Sequence, residues 1–406
     1  MRHVTLLTID ALRRDVLGCY GSEQGLTPFM DSIRDKSTVF TKAHSIGPYT
    51  QASFPGILTS SYYLEYRDQE RREDALSWKR TLVSEVLHEQ GITTAGFHSN
   101  PYLGEVFGWN RGWDRFDDSM EDEVDETVPY LNSSRINKKV DAWLSSQIGS
   151  TETKGTFLWV HYMDVHEPYV PAKEYIDGVD PTIDLSRDGM LWLFENKLLK
   201  RDASEKKDVE LLRKLYWAHV REVDDAVREF FGILKGKNLL EDSVIILTSD
   251  HGDEFGEHGG LSHDGKMYSE LVDVPLIIYE PGRDAARVTD KLVTTLDIPP
   301  TIVHLFGLDP VQAFEGSSLL PLENYPEKGV FGEAVDKHGS HEKGEEKGVH
   351  YYREGDLKMI YRERDDVWEL YDLASDPREI RNIVHESPRA EAMMEKMRPR
   401  VSRNRS

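Results

Sequence analysis

Three short segments of this chain carry residue types suited to chemistry. The first is Thr248 to Gly259, TSDHGDEFGEHG, where Asp250 and His251 stand side by side directly after an apolar run. An adjacent carboxylate and imidazole make half of a metal site, because each offers a lone pair to a divalent cation. The alternative is an acidic, Gly-rich turn with solvated histidines. The second is Asp10, a single carboxylate at the end of the run His3 to Ile9, either a ligand or the cap of a following helix. The third is Gly47 to Ser60, GPYTQASFPGILTS, where Thr50 precedes a short helical run. That hydroxyl is a helix cap or, beside a metal, an oxygen of lowered pKa aimed at an electrophile. Spacing leaves both readings open.

The elements that must position these residues read as an α/β fold, a mainly parallel sheet with covering helices. Strands are expected at His3 to Ile9, Thr93 to Phe97, Thr156 to Val160, Val244 to Thr248 and Pro275 to Tyr279. Asp10, His161 and Asp250 sit at such strand ends, and ligands of open α/β sheets collect at carboxyl ends. The clearest helix is Val209 to Lys235, where Leu212, Tyr216, Val220, Val223, Val227, Phe230 and Leu234 recur at steps of three and four. Thr81 to Glu89 and Ile136 to Leu144 read as further covering helices. Glu174 to Lys207 is polar and irregular, a surface excursion or lid. The charged stretch 326–347 reads as a linker between a catalytic domain, 1–325, and a small α+β subdomain, 348–406. In that subdomain short strands are expected at Val349 to Tyr352, Leu357 to Tyr361 and Val367 to Leu370, followed by a helix near Arg389 to Met397.

Composition bounds the function. The 406 residues include one cysteine, Cys19, and carry a formal charge of -23. A lone thiol fits a reducing compartment, and MRHVTLLTIDALRRD lacks the form of a secretory leader. No window approaches the roughly 18 to 20 apolar residues of a membrane span. The cytoplasm is therefore the expected location. The negative field argues against nucleic acid and anionic lipid as partners, so an anionic substrate needs a local cation to capture it. The acidic surface reads as a solubility surface or as an adaptation to a salty cytoplasm.

Block order adds a family resemblance over nearly the whole chain. TIDALRRDVLGCYG, PYTQASFPGILTS, SNPYLGEVFGWNRGWDRFDD, HYMDVHEPYVP, TSDHGDEFGEHGGLSH, VDVPLIIYEPG, TTLDIPPTIVHLFGL, FEGSSLLPL and WELYDLASDPREIRNIV follow one another as in the sulfatase family of the alkaline-phosphatase superfamily. The resemblance implies that fold, with a small antiparallel C-terminal sheet. It also implies that Asp10, Asp250 and His251 ligate a metal with Thr50, which stands where the family keeps its nucleophile. His166 and His263 match the residues that hold the substrate's anionic oxygens and protonate the leaving group, with Lys266 as an alternative to His263. Asn100 resembles a residue lining the anion site. His161 and Asp164 are placed in the pocket or behind it.

Two departures redirect the chemistry. The best-known members carry a cysteine or serine, converted to formylglycine, and an arginine four residues later; here stand Thr50 and Phe54. Threonine cannot become that aldehyde, and Cys19 lies outside the required context. Those members also pair two aspartates at the first strand and place an asparagine after the later aspartate, whereas this chain has Ala11 and His251. Carboxylates with an imidazole suit manganese or zinc better than calcium. One ion is expected; a second would draft Asp164, His161 and His263. The expected activity is hydrolysis of a sulfate or phosphate ester on a small molecule or glycan, leaning to phosphate mono- or diesters. The alternatives are a phosphoryl-alcohol transferase and a non-catalytic binder of sulfated or phosphorylated glycans.

Overall fold

The computed structural model describes residues 3–69, 75–147, 154–283, 285–336 and 347–403. Its strands are β1 (His3–Ile9), β2 (Ser37–His44), β3 (Thr93–Phe97), β4 (Arg115–Asp117), β5 (Thr156–Tyr162), β6 (Ser243–Ser249), β7 (Glu254–Phe255), β8 (Leu261–Ser262), β9 (Leu276–Tyr279), β10 (Arg287–Thr294), β11 (Val330–Val335), β12 (Gly348–Glu354), β13 (Leu357–Arg362) and β14 (Val367–Asp372). Eight of them make one sheet in the order β10-β2-β9-β6-β1-β5-β3-β4. All run the same way except β9, which is antiparallel to both β6 and β2.

The middle strand β1 explains the layers. Its sequence HVTLLTI is buried after His3, as a parallel strand covered on both faces must be. Side chains alternate. Leu7 and Ile9 join the core that includes Leu212, Tyr216, Val220 and Phe230 of the helix Lys206–Gly236. Val4 and Leu6 join the opposite core, with Phe54, Ile57 and Leu58 of the helix Thr50–Thr59. Thr8 shares this second face.

Several expectations need correction. The stretch 174–207 is not irregular: it holds helices Lys173–Val179 and Arg187–Leu193 and a π-helical turn, Phe194–Leu198. Each buries one or two apolar anchors, such as Ile176 or Met190 and Leu193, too few to make a periodic pattern. Strands β2 and β10 were not expected. The latter is a sheet edge, charged at Arg287, Asp290 and Lys291 and buried at Val293 and Thr294.

The presumed linker 326–347 contains β11, the first strand of an antiparallel sheet ordered β11-β12-β13-β14; residues 337–346 of that stretch lie outside the described residues. A strand forms there because it has a partner surface. Glu333 N–H donates to Ile46 O at 2.8 Å, and the hydroxyls of Tyr49 and Tyr351 bond Val335 O and Ser45 O at 3.1 and 2.7 Å. The second sheet thus braces the loop leading to Thr50. Among the described residues no helix is long and apolar enough to cross a membrane.

Candidate functional site

Strands β1 and β6 are neighbours in register, Ile9 opposite Ser249, so Asp10 and Asp250 leave the sheet together. The chain turns at once. Ala11 adopts φ 56°, a left-handed conformation that costs an L-residue about 1–2 kcal/mol, and points its N–H at Asp250 Oδ1, 3.2 Å away. His251 N–H donates to the same oxygen at 2.9 Å. The His251 ring gives its Nδ1–H to Gly252 O at 2.9 Å, which leaves the Nε2 lone pair free. Asp10 Oδ2 accepts Asn100 Nδ2 at 2.9 Å and His161 Nε2 at 3.2 Å.

One atom of each group is left over. Asp10 Oδ1 and Asp250 Oδ2 are buried with no hydrogen-bond partner. They lie 3.6 and 3.3 Å from His251 Nε2. The ligand atoms of these three residues fall within 4.8 Å of one another, the one such group among the described residues. Orphaned buried carboxylate oxygens are costly. Burial, and then the negative charge of Asp10, push the Asp250 carboxyl well above its usual value. Against its own burial, Asp10 is held below the usual range by His166, His161 and His251. Two carboxylates and a neutral imidazole are a donor set that a divalent cation fits.

Thr50 is the first residue of the helix Thr50–Thr59, and Tyr49 stands at the N-cap without a side-chain bond to it. The Thr50 hydroxyl therefore does not cap the helix. It lies 3.5 Å from His251 Nε2, at a helix N-terminus where partial positive charge favours an oxyanion. One turn on, Phe54 sets its ring edge against His161, with centroids 5.1 Å apart.

His263 stacks obliquely on His251 at 4.4 Å between ring centroids, and His166 lies 5.0 Å from His263. Both present Nε2. His166 gives Nδ1–H to Glu167 O at 2.6 Å, and His263 bonds Asp253 Oδ1 through Nδ1 at 2.8 Å. His166 is raised above its usual value: burial opposes this, but Asp10, Glu167 and Asp253 prevail. His263 is pushed well below by burial and by His251 and His166, despite Glu167 and Asp10. Asp253, lifted to about 6 by burial, also accepts the Tyr169 hydroxyl. Sequence reasoning passed over both residues. The spacing of Asp253, two after His251, was the available signal.

Lys266, Asn100, His161 and Asp164 are each bonded to protein groups. Lys266 Nζ is bonded to Glu254 Oε2 at 2.6 Å and to His258 O at 3.2 Å, so a carboxylate of its own loop takes the charge meant for substrate. Asn100 is buried against Asp10, and its Oδ1 accepts Tyr102 N–H. His161 is wholly buried and lies behind Asp10, the second of its two expected places. Asp164 accepts Ser133 N–H and Oγ–H and is raised to about 6 by burial and by Glu222. Its oxygens so engaged, Asp164 joins no second ligand cluster with His161 and His263 among the described residues.

A family model described as Sulfatase matches residues 2–308. The chain belongs to the sulfatase family. A second model, N-sulphoglucosamine sulphohydrolase, C-terminal, matches residues 256–406. Among curated sulfatase relatives, an arylsulfatase of Clostridium perfringens is 22% identical over 94% of this chain and 90% of its own length. Arylsulfatase K of Rattus norvegicus is 30% identical over 95% of this chain and 75% of its own. The fold matches a protein solved in complex with its substrate D-glucosamine-2-N,6-O-disulfate, with TM-score 0.81 and 20% identity over 100% of this chain and 98% of that one. It also matches the phosphonate monoester hydrolase of Agrobacterium radiobacter, with TM-score 0.75 and 18% identity over 99% and 95%. This sulfatase-family chain therefore has the alkaline-phosphatase-like sheet with an added antiparallel sheet.

Proposed function

We propose that the chain hydrolyses an anionic ester, a phosphate ester before a sulfate ester, with Thr50 Oγ1 as nucleophile and no formylglycine. Asp10, Asp250 and His251 would hold a divalent cation with Thr50, manganese or zinc rather than calcium. The observation that carries this reading is the approach of Thr50 Oγ1 to His251 Nε2, 3.5 Å, beside two carboxylate oxygens without partners. A bound cation supplies positive charge that lowers the pKa of a hydroxyl and draws electrons from the ester oxygen.

Thr50 reacts as the alkoxide, its proton already lost to water. Its Oγ1 forms a bond to phosphorus as the bond to the leaving oxygen breaks, in line. His166, the imidazole pushed toward its charged form, delivers its Nε2 proton to that leaving oxygen. His263, neutral and with Nδ1 turned to Asp253, takes a proton at Nε2 from the water that attacks phosphorus next. Thr50 is then released. Two carboxylates, the Thr50 alkoxide and a divalent cation would sum to one negative charge, so His166, the imidazole pushed toward its charged form, carries the attraction for substrate. That suits a singly charged diester better than a dianionic monoester.

Sulfate esters are the second reading, favoured by the sulfatases among the relatives; they too carry one negative charge. A panel of aryl phosphate, phosphodiester, phosphonate monoester and aryl sulfate, run with manganese, zinc and calcium added singly, tests both. Phosphodiester turnover that needs manganese or zinc and vanishes in Thr50→Ala is the expected result. Turnover of sulfate alone selects the second reading, and undiminished turnover in Thr50→Ala overturns the nucleophile.

A further inference from the structure

His161 has both ring nitrogens engaged. Nδ1 lies 2.9 Å from Thr8 Oγ1 and Nε2 lies 3.2 Å from Asp10 Oδ2. Thr8 Oγ1 also accepts Trp159 Nε1–H at 3.1 Å. All four side chains are buried. They sit on one face of adjacent strands, Leu6 opposite Trp159 and Thr8 opposite His161, with Phe54 closing over the imidazole.

Donor chemistry orients the row. An indole N–H can only donate, and a carboxylate that binds a cation can only accept. The Thr8 proton has two acceptors within reach, His161 Nδ1 at 2.9 Å and Val160 O at 3.4 Å, and the imidazole is the nearer. One polarity then satisfies every member: Trp159 donates to Thr8, Thr8 to His161 Nδ1, and His161 Nε2–H to Asp10 Oδ2. Asn100 Nδ2 bonds the same oxygen at 2.9 Å. Asp10 Oδ1 is left without a partner.

We propose that His161 is a positioning residue: held as its Nε2–H tautomer by Thr8 and Trp159, it pins Asp10 Oδ2 so that Oδ1 alone is presented to a cation. This rests on the cation-site reading above. The role differs from substrate contact, because the imidazole acts through Asp10. Hydrogen bonds of this kind behind a ligand change metal affinity by roughly 10- to 100-fold.

Titration calorimetry of manganese into the full chain tests the proposal, with a thermal melt of each metal-free variant as the fold control. His161→Phe removes the donor and should weaken binding by at least about 10-fold. His161→Gln carries an amide N–H that reaches the position of Nε2, and should recover most of the loss. Thr8→Val keeps the shape, frees the tautomer and should weaken binding by a few-fold, with a lowered melting temperature because the buried Trp159 N–H loses its acceptor. If His161→Phe does not fold, the Gln and Val variants decide: wild-type affinity in Thr8→Val, or in Gln a loss larger than in Val, overturns the tautomer-held donor. Equal affinity in wild type and His161→Phe overturns the positioning role and leaves the cation site standing. A wild-type chain that binds no manganese, zinc or calcium overturns both.

Discussion

The segment after β6 takes part in two clusters of buried charge, and they follow opposite rules. At its start, Asp10 and Asp250 face each other across His251 with two carboxylate oxygens unpartnered. Further on, His258 bonds Glu270 Oε1 through Nδ1 at 2.6 Å and Glu379 O through Nε2 at 3.2 Å. Two acceptors require both nitrogens to be protonated, so His258 is a cation there. It stacks on Tyr268 at 3.6 Å. Beside it Lys358 and Glu379, both fully buried, pair at 2.9 Å, and Ser269 N–H bonds the other Glu379 oxygen at 2.6 Å. The second cluster ties the site loop to the antiparallel sheet with every charge opposed. In the first, imidazoles alone face the two carboxylates, and Asp250 stays above its usual value. Burial alone therefore does not mark a functional site; burial with the compensation missing does.

Substitutions can break this contrast, beginning with the largest effect. Thr50→Ala removes a reacting oxygen and no structural bond, so ester turnover should fall about 1,000-fold or more while the melting temperature stays nearly constant. Paired turnover and melting measurements check this, and a matching fall in stability would put Thr50 in the same class as the closed cluster. Lys358→Met should do the reverse. It strands the Glu379 charge and should cost about 3–5 kcal/mol in a urea melt, with kcat of the folded fraction little changed.

Asp250→Asn sharpens the contrast. A carboxyl held above its usual value by burial and by Asp10 opposes folding at neutral pH. Its neutral isostere should therefore stabilise the metal-free chain, by about 1 kcal/mol, and abolish any melting-temperature gain on adding manganese. Calorimetric melts with and without the ion measure both.

The smallest effect is at His258. Burial opposes its charge, but the bond to Glu270 wins and raises its pKa. A histidine raised in the folded state adds stability fully present below its unfolded value, about 6.5, and lost as pH rises through the folded value. Urea melts from pH 5 to 9 should show this step, worth at most about 1 kcal/mol, and His258→Gln should flatten it.

Asp10, Asp250, His251 and Thr50 were legible as candidates because each follows an apolar run or opens a helical one, signals that need only neighbouring residues. The long helix was legible for the same reason, through its regular buried stripe. β11 was not, since its charged flanks say nothing of the loop at 45–49 that it pairs with. The pairing of Lys266 with Glu254 was not legible either, since nothing in their spacing says that the one takes the other's charge.

Sequence by itself determined which chemical groups stand at the strand ends of this protein, and its block order determined the family. Tertiary structure decided which atoms of those groups are spent. Asn100 and His161 meet Asp10 across 90 and 151 residues, and Asp253 orients His263. Such pairings depend on the register of distant strands, which is set by packing of the whole sheet, and the same register leaves Asp10 Oδ1 and Asp250 Oδ2 facing His251 without partners.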